Sequence, residues 1–167
     1  NWFVPEGVEP SVHFTWGKPK SFEYVASEHR AAREGVVMLD MTHMAKFMVQ
    51  GDDAEKILNQ ISANDINVGF GESVYTQWLN ERGLIEADLT VKRLAEDKFF
   101  VVAGDVIDTH TEAWMRKNTP ANSHFFVTNV TSSYSILNIQ GPHSRDLISS
   151  LTGADMSNEA FPFRSMK

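Results

Sequence analysis

Two carboxylates stand within a run of residues, 84–94, that otherwise predicts a β-strand. Because side chains alternate across a strand, Glu86 and Asp88 are predicted to share a face with Leu84 and Thr90. Aspartate is depleted in strands, and a carboxylate between apolar neighbours costs free energy unless water or a partner satisfies it. Two interpretations stay open from the residues alone. The carboxylates lie on a solvent-facing side of an antiparallel sheet, or at least one of them faces a ligand cavity.

Self-contained motifs for other chemistry are absent from the sequence. There is no G-x-G-x-x-G, P-loop or G-x-S-x-G pattern, so no dinucleotide site is predicted within this chain. The six histidines show no H-x-x-x-H or H-E-x-x-H spacing, and we predict no metal site. The chain has no cysteine, which excludes disulfides and thiolate nucleophiles.

Composition narrows the class of protein and its partners. The 167 residues are 42% apolar and 22% charged, which is typical of a globular chain with one sizeable core. A net charge of −7 without a basic cluster argues against nucleic-acid binding. No apolar run approaches the roughly 20 residues of a membrane-spanning helix, so we expect neither nucleic acid nor membrane as a partner.

The periodicity of the sequence predicts an α+β fold, with antiparallel β-meanders and packed helices. Strands at 73–79 and 84–94, joined by an Asn-Glu-Arg-Gly turn, form a hairpin, and a strand at 99–103 extends it. Further strands are predicted at 36–41, 46–50, 125–130 and 134–140, and helices at 22–34, after Gly51, at 105–117 and at 142–151. Ser21 is predicted to cap the first helix, Gly35 to close it, and Asp52 with Glu55 to form a capping box. Residues 1–20, with three prolines, are predicted to be an extended arm or linker from an upstream region, and residues 21–167 one domain.

Residues 47–66 and 137–156 match at an offset of 90. Val49-Gln50-Gly51 corresponds to Ile139-Gln140-Gly141, and four apolar positions at i, i+3, i+4 and i+7 follow in both copies, with Ser144 as the polar exception. We interpret this as an internal duplication of a strand, glycine turn and amphipathic helix.

Several segments carry more specific motifs: residues 37–44, 46–47, 49–54, 64–66, 75–83, 86–91 and 139–145. In this order they resemble the folate-binding aminomethyltransferase family of the glycine-cleavage T-protein, over nearly the whole chain. Residues 75–83 and 86–91 are most similar to the folate domains of dimethylglycine and sarcosine dehydrogenases and oxidases. Residues 2–10 resemble the segment that joins the flavin part of those dehydrogenases to the folate part.

The resemblance implies a tetrahydrofolate site, where a folate nitrogen attacks an imine or aminomethyl group and methylenetetrahydrofolate is formed. Asp88 matches the aspartate that governs the protonation of that nitrogen, and it is therefore the predicted catalytic residue. Tyr75 matches a position that packs on the folate. Phe100, Val102 and Gly104 match positions on the following strand that line the pterin site. An aromatic, apolar strand beside the Asp88 strand is also what a flat ring needs.

The same resemblance implies partners and a setting. A small amine or iminium would be the second substrate, and FAD would be bound only by an upstream flavin domain outside this chain. Either the cytoplasm of a bacterium or the mitochondrial matrix is the implied compartment. The family's second acidic ligand to the pterin is expected beyond Lys167, so the chain is interpreted as the N-terminal part of the folate-binding domain.

The sequence is compatible with two alternative functions. One is a non-catalytic regulatory homologue of the pyruvate dehydrogenase phosphatase regulatory type, against which the carboxylate of Asp88 argues. The other is a free-standing aminomethyltransferase of glycine cleavage, which the segment 2–10 and the Glu86-Ala87-Asp88 pattern disfavour.

Overall fold

The computed structural model describes residues 4–166. These residues divide into two compact units, residues 4–39 with 138–156 and residues 40–137 with 157–166. No helix among the described residues is long and apolar enough to cross a membrane. The strands and α-helices run in the order α1 (Phe22–Glu34), β1 (Val37–Asp40), β2 (Ala45–Gln50), α2 (Ala54–Ile61), β3 (Ser73–Leu79), β4 (Ile85–Ala95), β5 (Lys98–Ala103), α3 (Asp108–Lys117), β6 (Phe126–Asn129), β7 (Leu137–Gln140) and α4 (Ser144–Thr152).

The larger unit is built around a five-stranded antiparallel sheet with the strand order β3-β4-β5-β2-β6. β3, β4 and β5 are consecutive in the chain, which confirms the predicted meander and the α+β class. The β3–β4 turn closes where the amide of Gly83 donates to the carbonyl of Asn80 over 2.8 Å. Gly83 has a φ of +73°, a conformation that glycine adopts without steric cost.

One face of this sheet is covered by α2 and α3. Alternate strand residues are buried on that face and share one core with residues of both helices. Its members include Phe47, Val49, Trp78, Leu89, Val91, Phe99 and Val101 of the strands, Ala54, Ile57, Leu58 and Ile61 of α2, and Trp114 and Met115 of α3. Burial of these four α2 residues confirms the predicted helical spacing. The core contains no side chain from the opposite face of the sheet, and neither α-helix of this unit packs on that face.

The smaller unit contains α1, α4 and a two-stranded sheet of β1 and β7. α1 spans the predicted residues and ends where the amide of Gly35 donates to the carbonyl of Ala31 over 2.8 Å. The prediction that Ser21 caps α1 is wrong, since its side chain makes no capping hydrogen bond. Residues 4–20 contain no helix or strand, and their role as a linker stays a prediction.

The two segments that match at an offset of 90 fold alike. β2 leads through Gly51 into α2, and β7 leads through Gly141 into α4. The two glycines have φ values of +127° and +121°. An added Cβ would lie 2.0 Å from the carbonyl oxygen of His124 at the first position and 2.1 Å from that of Gly35 at the second. Only glycine fits either turn, and the predicted strand–turn–helix order is confirmed in both copies.

Local hydrogen bonding changes three of the predicted element ends. The capping box of Asp52 and Glu55 is absent, because α2 starts after Asp53, whose carboxylate instead accepts a hydrogen bond from the amide of His124 over 2.8 Å. The helix predicted from residue 105 begins as a 3₁₀ turn at Asp105–Ile107, as helix N-termini often do. The strand predicted from residue 134 shortens to β7, because its partner β1 has only four residues.

Candidate functional site

The register of the sheet places four of the five predicted site residues on the face that α2 and α3 leave uncovered. In the β3–β4 hairpin Tyr75 pairs with Thr90, two residues after Asp88. Thr90 pairs on its other side with Val102 of β5, two residues after Phe100. One face of the adjacent strands β3, β4 and β5 therefore carries four of these residues in neighbouring rows: Tyr75, Asp88, Val102 and Phe100.

The carboxylate of Asp88 is exposed and is held by side chains of β3. Gln77, its partner in the register, donates a hydrogen bond from Nε2 to Oδ1 of Asp88 over 3.1 Å. The hydroxyl of Tyr75 also hydrogen-bonds to this carboxylate, which is the main reason that the pKa of Tyr75 is raised above the ordinary tyrosine value. Tyr75 itself is 57% exposed, so its ring can contact a ligand.

The residues beside Asp88 toward β2 are apolar. Val102 is largely buried and Phe100 half-buried, and Phe100 pairs with Met48 of β2. The ring of Tyr134 packs edge-on against Phe100, with centroids 5.4 Å apart and an interplanar angle of 81°. Phe99, the neighbour of Phe100 in the sequence, points into the core and is not available. The face thus combines one carboxylate with an apolar, aromatic surface, which suits a flat ring that carries a basic or proton-bearing nitrogen.

Gly104 directly follows the last residue of β5, and Ala103 before it pairs with Leu89, the neighbour of Asp88. The fifth predicted residue therefore lies at the same end of the face. Its φ of −63° is open to any residue, and an added Cβ would meet only Ile107, at 3.8 Å. Neither backbone conformation nor space within this chain demands glycine there.

The prediction that Glu86 shares the face of Asp88 is wrong. The register of the hairpin shifts between Trp78 and Leu79, and this leaves Glu86 as an extra residue in β4. A β-bulge of this kind interrupts the alternation of side chains. The bulge therefore separates the two carboxylates that the sequence pattern places together.

Glu86 turns instead toward α3, the helix that covers the core face of the sheet. Its Oε1 accepts a hydrogen bond from Nδ2 of Asn80 over 2.8 Å, and its Oε2 lies 2.9 Å from Nε2 of His110. The pKa of Glu86 is lowered below the ordinary glutamate value, mainly by the hydrogen bond from Asn80. The hydrogen bond and the charge of His110 lower it further. The pair fastens the β4 bulge to α3 and takes no part in the site around Asp88.

The segment between β1 and β2 is fixed by a network around a buried lysine. Lys46 is fully buried, and its Nζ donates to the carbonyl oxygens of Thr42 at 2.8 Å and of Met44 at 3.0 Å. The hydroxyl and the backbone amide of Thr42 donate hydrogen bonds to the carboxylate of Asp40. Both bonds lower the pKa of Asp40, and the bond from the hydroxyl has the larger effect. This network explains structurally why the motif at residues 40–46 has an aspartate and a threonine two residues apart.

Sequence reasoning missed two residues of the face, Gln77 and Tyr134. Gln77 could have been found from strand alternation, since it lies two residues after Tyr75 on β3. Its pairing with Asp88 could not, because the bulge at Glu86 sets the hairpin register. Tyr134 lies outside any strand and reaches Phe100 only through the tertiary fold.

Comparison with known proteins agrees with this architecture. The family model for the GCVT N-terminal domain matches residues 1–167. The chain is 37% identical over 160 residues to 4-methylaminobutanoate oxidase (formaldehyde-forming) of Paenarthrobacter nicotinovorans, covering 96% of the chain and 19% of that protein. It is 35% identical over 150 residues to the mitochondrial pyruvate dehydrogenase phosphatase regulatory subunit of Mus musculus, covering 89% and 17%. It is 33% identical over 166 residues to mitochondrial sarcosine dehydrogenase of Mus musculus, covering 90% and 18%.

A solved structure supports the same assignment at the level of the fold. The crystal structure of glycine cleavage system aminomethyltransferase T from Bartonella henselae matches with a TM-score of 0.74 and 28% identity, over 84% of this chain and 38% of that chain. The chain thus spans less than a fifth of each of the three relatives above. The match over all 167 residues and the shared fold show that this chain belongs to the GCVT N-terminal domain family.

Proposed function

We propose that this chain binds tetrahydrofolate and serves in one-carbon transfer, as part of an amine dehydrogenase or oxidase of the dimethylglycine and sarcosine type. The observation that carries the proposal is the position of Asp88. Its carboxylate lies on the uncovered face of the sheet, next to Tyr75 and to the apolar surface of Val102 and Phe100. A mostly apolar surface with one placed carboxylate is the combination that suits a flat ring with a proton-bearing nitrogen, such as a reduced pterin.

The residues of this chain fit such a ligand by their chemistry. Phe100 offers a half-buried aromatic side chain to a ring, with the largely buried Val102 beside it, and Tyr75 offers a largely exposed aromatic side chain at the ring's edge. Gln77 and Tyr75 bond to the carboxylate of Asp88 but leave it exposed, so it keeps lone pairs with which to bond a ligand nitrogen. Gly104, at the end of β5, adds no side chain that would block this end of the face.

Tetrahydrofolate, when bound, would supply the nitrogen that accepts the one-carbon unit. Asp88 is the group of this chain that can take a proton from that nitrogen and offset positive charge next to it. General acid–base catalysis of this kind is typically worth about 10²–10⁴-fold in rate. Gln77 and Tyr75 orient the carboxylate, and the apolar surface excludes water from one side of the ring.

Oxidation of the amine would belong to another part of the polypeptide. Relatives named as an oxidase and a dehydrogenase support an upstream flavin domain, in which FAD would produce the iminium that this chain's site captures. The substrates of the complete protein would be a small secondary or tertiary amine and folate. A bacterial relative and a mitochondrial one support either the bacterial cytoplasm or the mitochondrial matrix as the compartment.

Asp88→Asn in the complete protein tests the proposal. Asparagine keeps the shape of the side chain and removes its charge, so carbon transfer to folate should fall by about 10²-fold or more while amine oxidation continues. The iminium would then hydrolyse to formaldehyde. The measurement is the amount of methylenetetrahydrofolate formed per amine oxidised, and an unchanged ratio in the variant would make Asp88 an ordinary surface carboxylate.

The likeness to a phosphatase regulatory subunit supports a second candidate, a non-catalytic member of the family. The same assay separates the two. A regulatory member would form no methylenetetrahydrofolate from any secondary amine, with or without Asp88. A free-standing aminomethyltransferase would transfer the carbon unit but oxidise no amine.

A further inference from the structure

We propose that Tyr134 is a positioning residue of the proposed site: its ring sets the orientation of Phe100, and the loop that carries it is held by hydrogen bonds to residues 40–46. The inference rests on the proposed function and adds to it, because it names the contact that aligns a bound ring with Asp88. It also gives a role in the site to a motif that lies outside β3, β4 and β5.

The loop between β6 and β7 carries Tyr134 and is anchored on both sides of it. Before Tyr134, the amide of Lys46 donates a hydrogen bond to Oγ1 of Thr131 over 3.0 Å. After it, the amide of Ile136 donates a hydrogen bond to Oγ1 of Thr42 over 3.1 Å. Because the loop is anchored at both of these residues, the backbone of Tyr134 between them is restrained, and its ring has a fixed place on the face.

The anchor at Thr42 is itself held by two charged groups. Its hydroxyl donates a hydrogen bond to the carboxylate of Asp40 and accepts the one from Ile136, so it is used both as donor and as acceptor. The buried ammonium group of Lys46 donates to the carbonyl oxygen of Thr42 over 2.8 Å. Hydrogen bonds that involve a charged group are stronger than neutral ones. These three side chains therefore form a firm support for the loop that carries Tyr134.

The support acts on the proposed site through the contact between two rings. Tyr134 meets Phe100 edge-on, with centroids 5.4 Å apart and an interplanar angle of 81°. Phe100 is half-buried, and this contact restrains the rotation of its ring about χ2, which is otherwise broad. A flat ring stacked on Phe100 takes its plane from that ring. The tilt of Phe100 therefore decides how close the reacting nitrogen comes to Asp88 on the neighbouring strand, where a displacement of about 1 Å can cost about 10²-fold in rate.

Tyr134→Leu in the complete protein removes the edge-on contact and keeps an apolar side chain. At saturating tetrahydrofolate, the initial ratio of methylenetetrahydrofolate to formaldehyde should fall about three- to tenfold, the range that an edge-to-face contact supports. The rate of amine oxidation should not change, because that reaction belongs to another part of the polypeptide. Tyr134→Phe keeps the ring and should retain the ratio. Saturation is essential to the design, since a residue that contributed affinity alone would raise the KM for folate and leave this ratio unaltered.

Two further variants ask whether Tyr134 acts through Phe100 and through the loop. Phe100→Leu removes the ring on which the ligand stacks, so adding Tyr134→Leu to it should lower the ratio no further. Thr42→Val removes both hydrogen bonds of the hydroxyl and leaves the two rings in place. It should lower the ratio in the same direction as Tyr134→Leu, by a smaller factor.

Phe126→Leu is the matched control. Phe126 is 64% exposed on β6, two strands away from Phe100, so the loss of its ring should leave the ratio unchanged. The inference would be overturned by an unchanged ratio in Tyr134→Leu or Thr42→Val, by an equal loss in Phe126→Leu, or by a further loss in the double variant. In each of these cases a lowered ratio in Asp88→Asn would keep the proposed function. An unaltered protein that formed no methylenetetrahydrofolate would overturn the proposed function, and this inference with it.

Discussion

At the scale of residues, the proposed site depends on how one exposed carboxylate is held. A free aspartate side chain samples several rotamers, and each hydrogen bond to it removes some of them. Gln77 occupies one oxygen of Asp88, and Tyr75 bonds to the same carboxylate from the neighbouring row of β3. A carboxylate that is oriented before the ligand arrives loses less entropy in the reaction.

The pKa of Tyr75 reports this arrangement directly. A carboxylate that accepts the hydroxyl proton stabilises the protonated phenol, so Asp88→Asn should lower the pKa of Tyr75. Gln77 acts in the opposite direction on Tyr75, since its hydrogen bond favours the phenolate, and Gln77→Leu should raise the pKa further. Ultraviolet titration of phenolate absorbance gives both values, with Tyr75→Phe to assign the signal. Shifts of the same sign in the two variants would contradict the geometry.

At the scale of elements, the β-bulge in β4 decides which carboxylate belongs to the site. One extra residue sends Glu86 to α3 and leaves Asp88 on the open face. The bond from Asn80 to Glu86 also ties the bulge to the hairpin turn. The bulge therefore fixes both the hairpin and its contact with α3.

This contact makes part of the stability depend on pH. Because the pKa of Glu86 is lowered in the folded chain, its contribution is complete above the ordinary glutamate pKa of 4.5 and is lost as the pH falls from there through the folded-state value. Glu86→Gln should therefore flatten the acid side of the stability profile while changing little of its shape above pH 6. Urea unfolding measured between pH 3 and 7 gives the comparison. Parallel profiles for the two proteins would show that Glu86 is not linked to folding.

The two glycine turns are the other element-scale feature with a sharp consequence. Gly51→Ala and Gly141→Ala should each destabilise the protein by more than about 2 kcal/mol, since the new Cβ meets a backbone carbonyl and φ is positive. Gly83→Ala is the matched control: φ is +73° there but nothing lies within 4 Å of the added Cβ. Gly83→Ala should lower the free energy of unfolding by only about 1–2 kcal/mol. Urea unfolding free energies of the three variants test this order, and a tolerated alanine at Gly51 or Gly141 would contradict it.

At the scale of the whole molecule, the proposed folate site is formed by one face of the sheet of the larger unit. Asp88 is exposed and Tyr75 is 57% exposed, whereas small-molecule sites usually bury about 70–90% of their ligand. A flat ring on this face is covered on one side only by the larger unit. Tight binding therefore requires further protein surface over the other side of the ring.

Residues 1–167 alone should for this reason bind tetrahydrofolate more weakly than the complete protein does. The absence of one buried polar partner at the ring edge costs on the order of 1–3 kcal/mol, or about tenfold to hundredfold in Kd. Calorimetry with both proteins under the same buffer conditions measures the ratio. Equal affinities would show that the face described here is a complete site.

Local sequence patterns by themselves determined most of the elements. The apolar alternation of 73–79 and the turn residues before Gly83 specify β3 and the hairpin, because side-chain period and turn chemistry act over a few residues. Helical periodicity likewise fixes α1 and α2. The duplicated glycine turns are visible in the sequence because each requires a residue without a Cβ at the same offset.

The tertiary structure decided what the side chains meet. The bulge at Glu86 depends on β3 pairing and on His110 of α3, so strand alternation alone assigned Glu86 to the wrong face. The capping box failed for the same reason, since the carboxylate of Asp53 bonds to a backbone amide 71 residues later in the chain. Alternation correctly put Asp88 and Thr90 on one face, yet only the register of three strands brings Tyr75, Phe100 and Val102 beside them, because contacts between strands are set by pairing and not by proximity in the sequence.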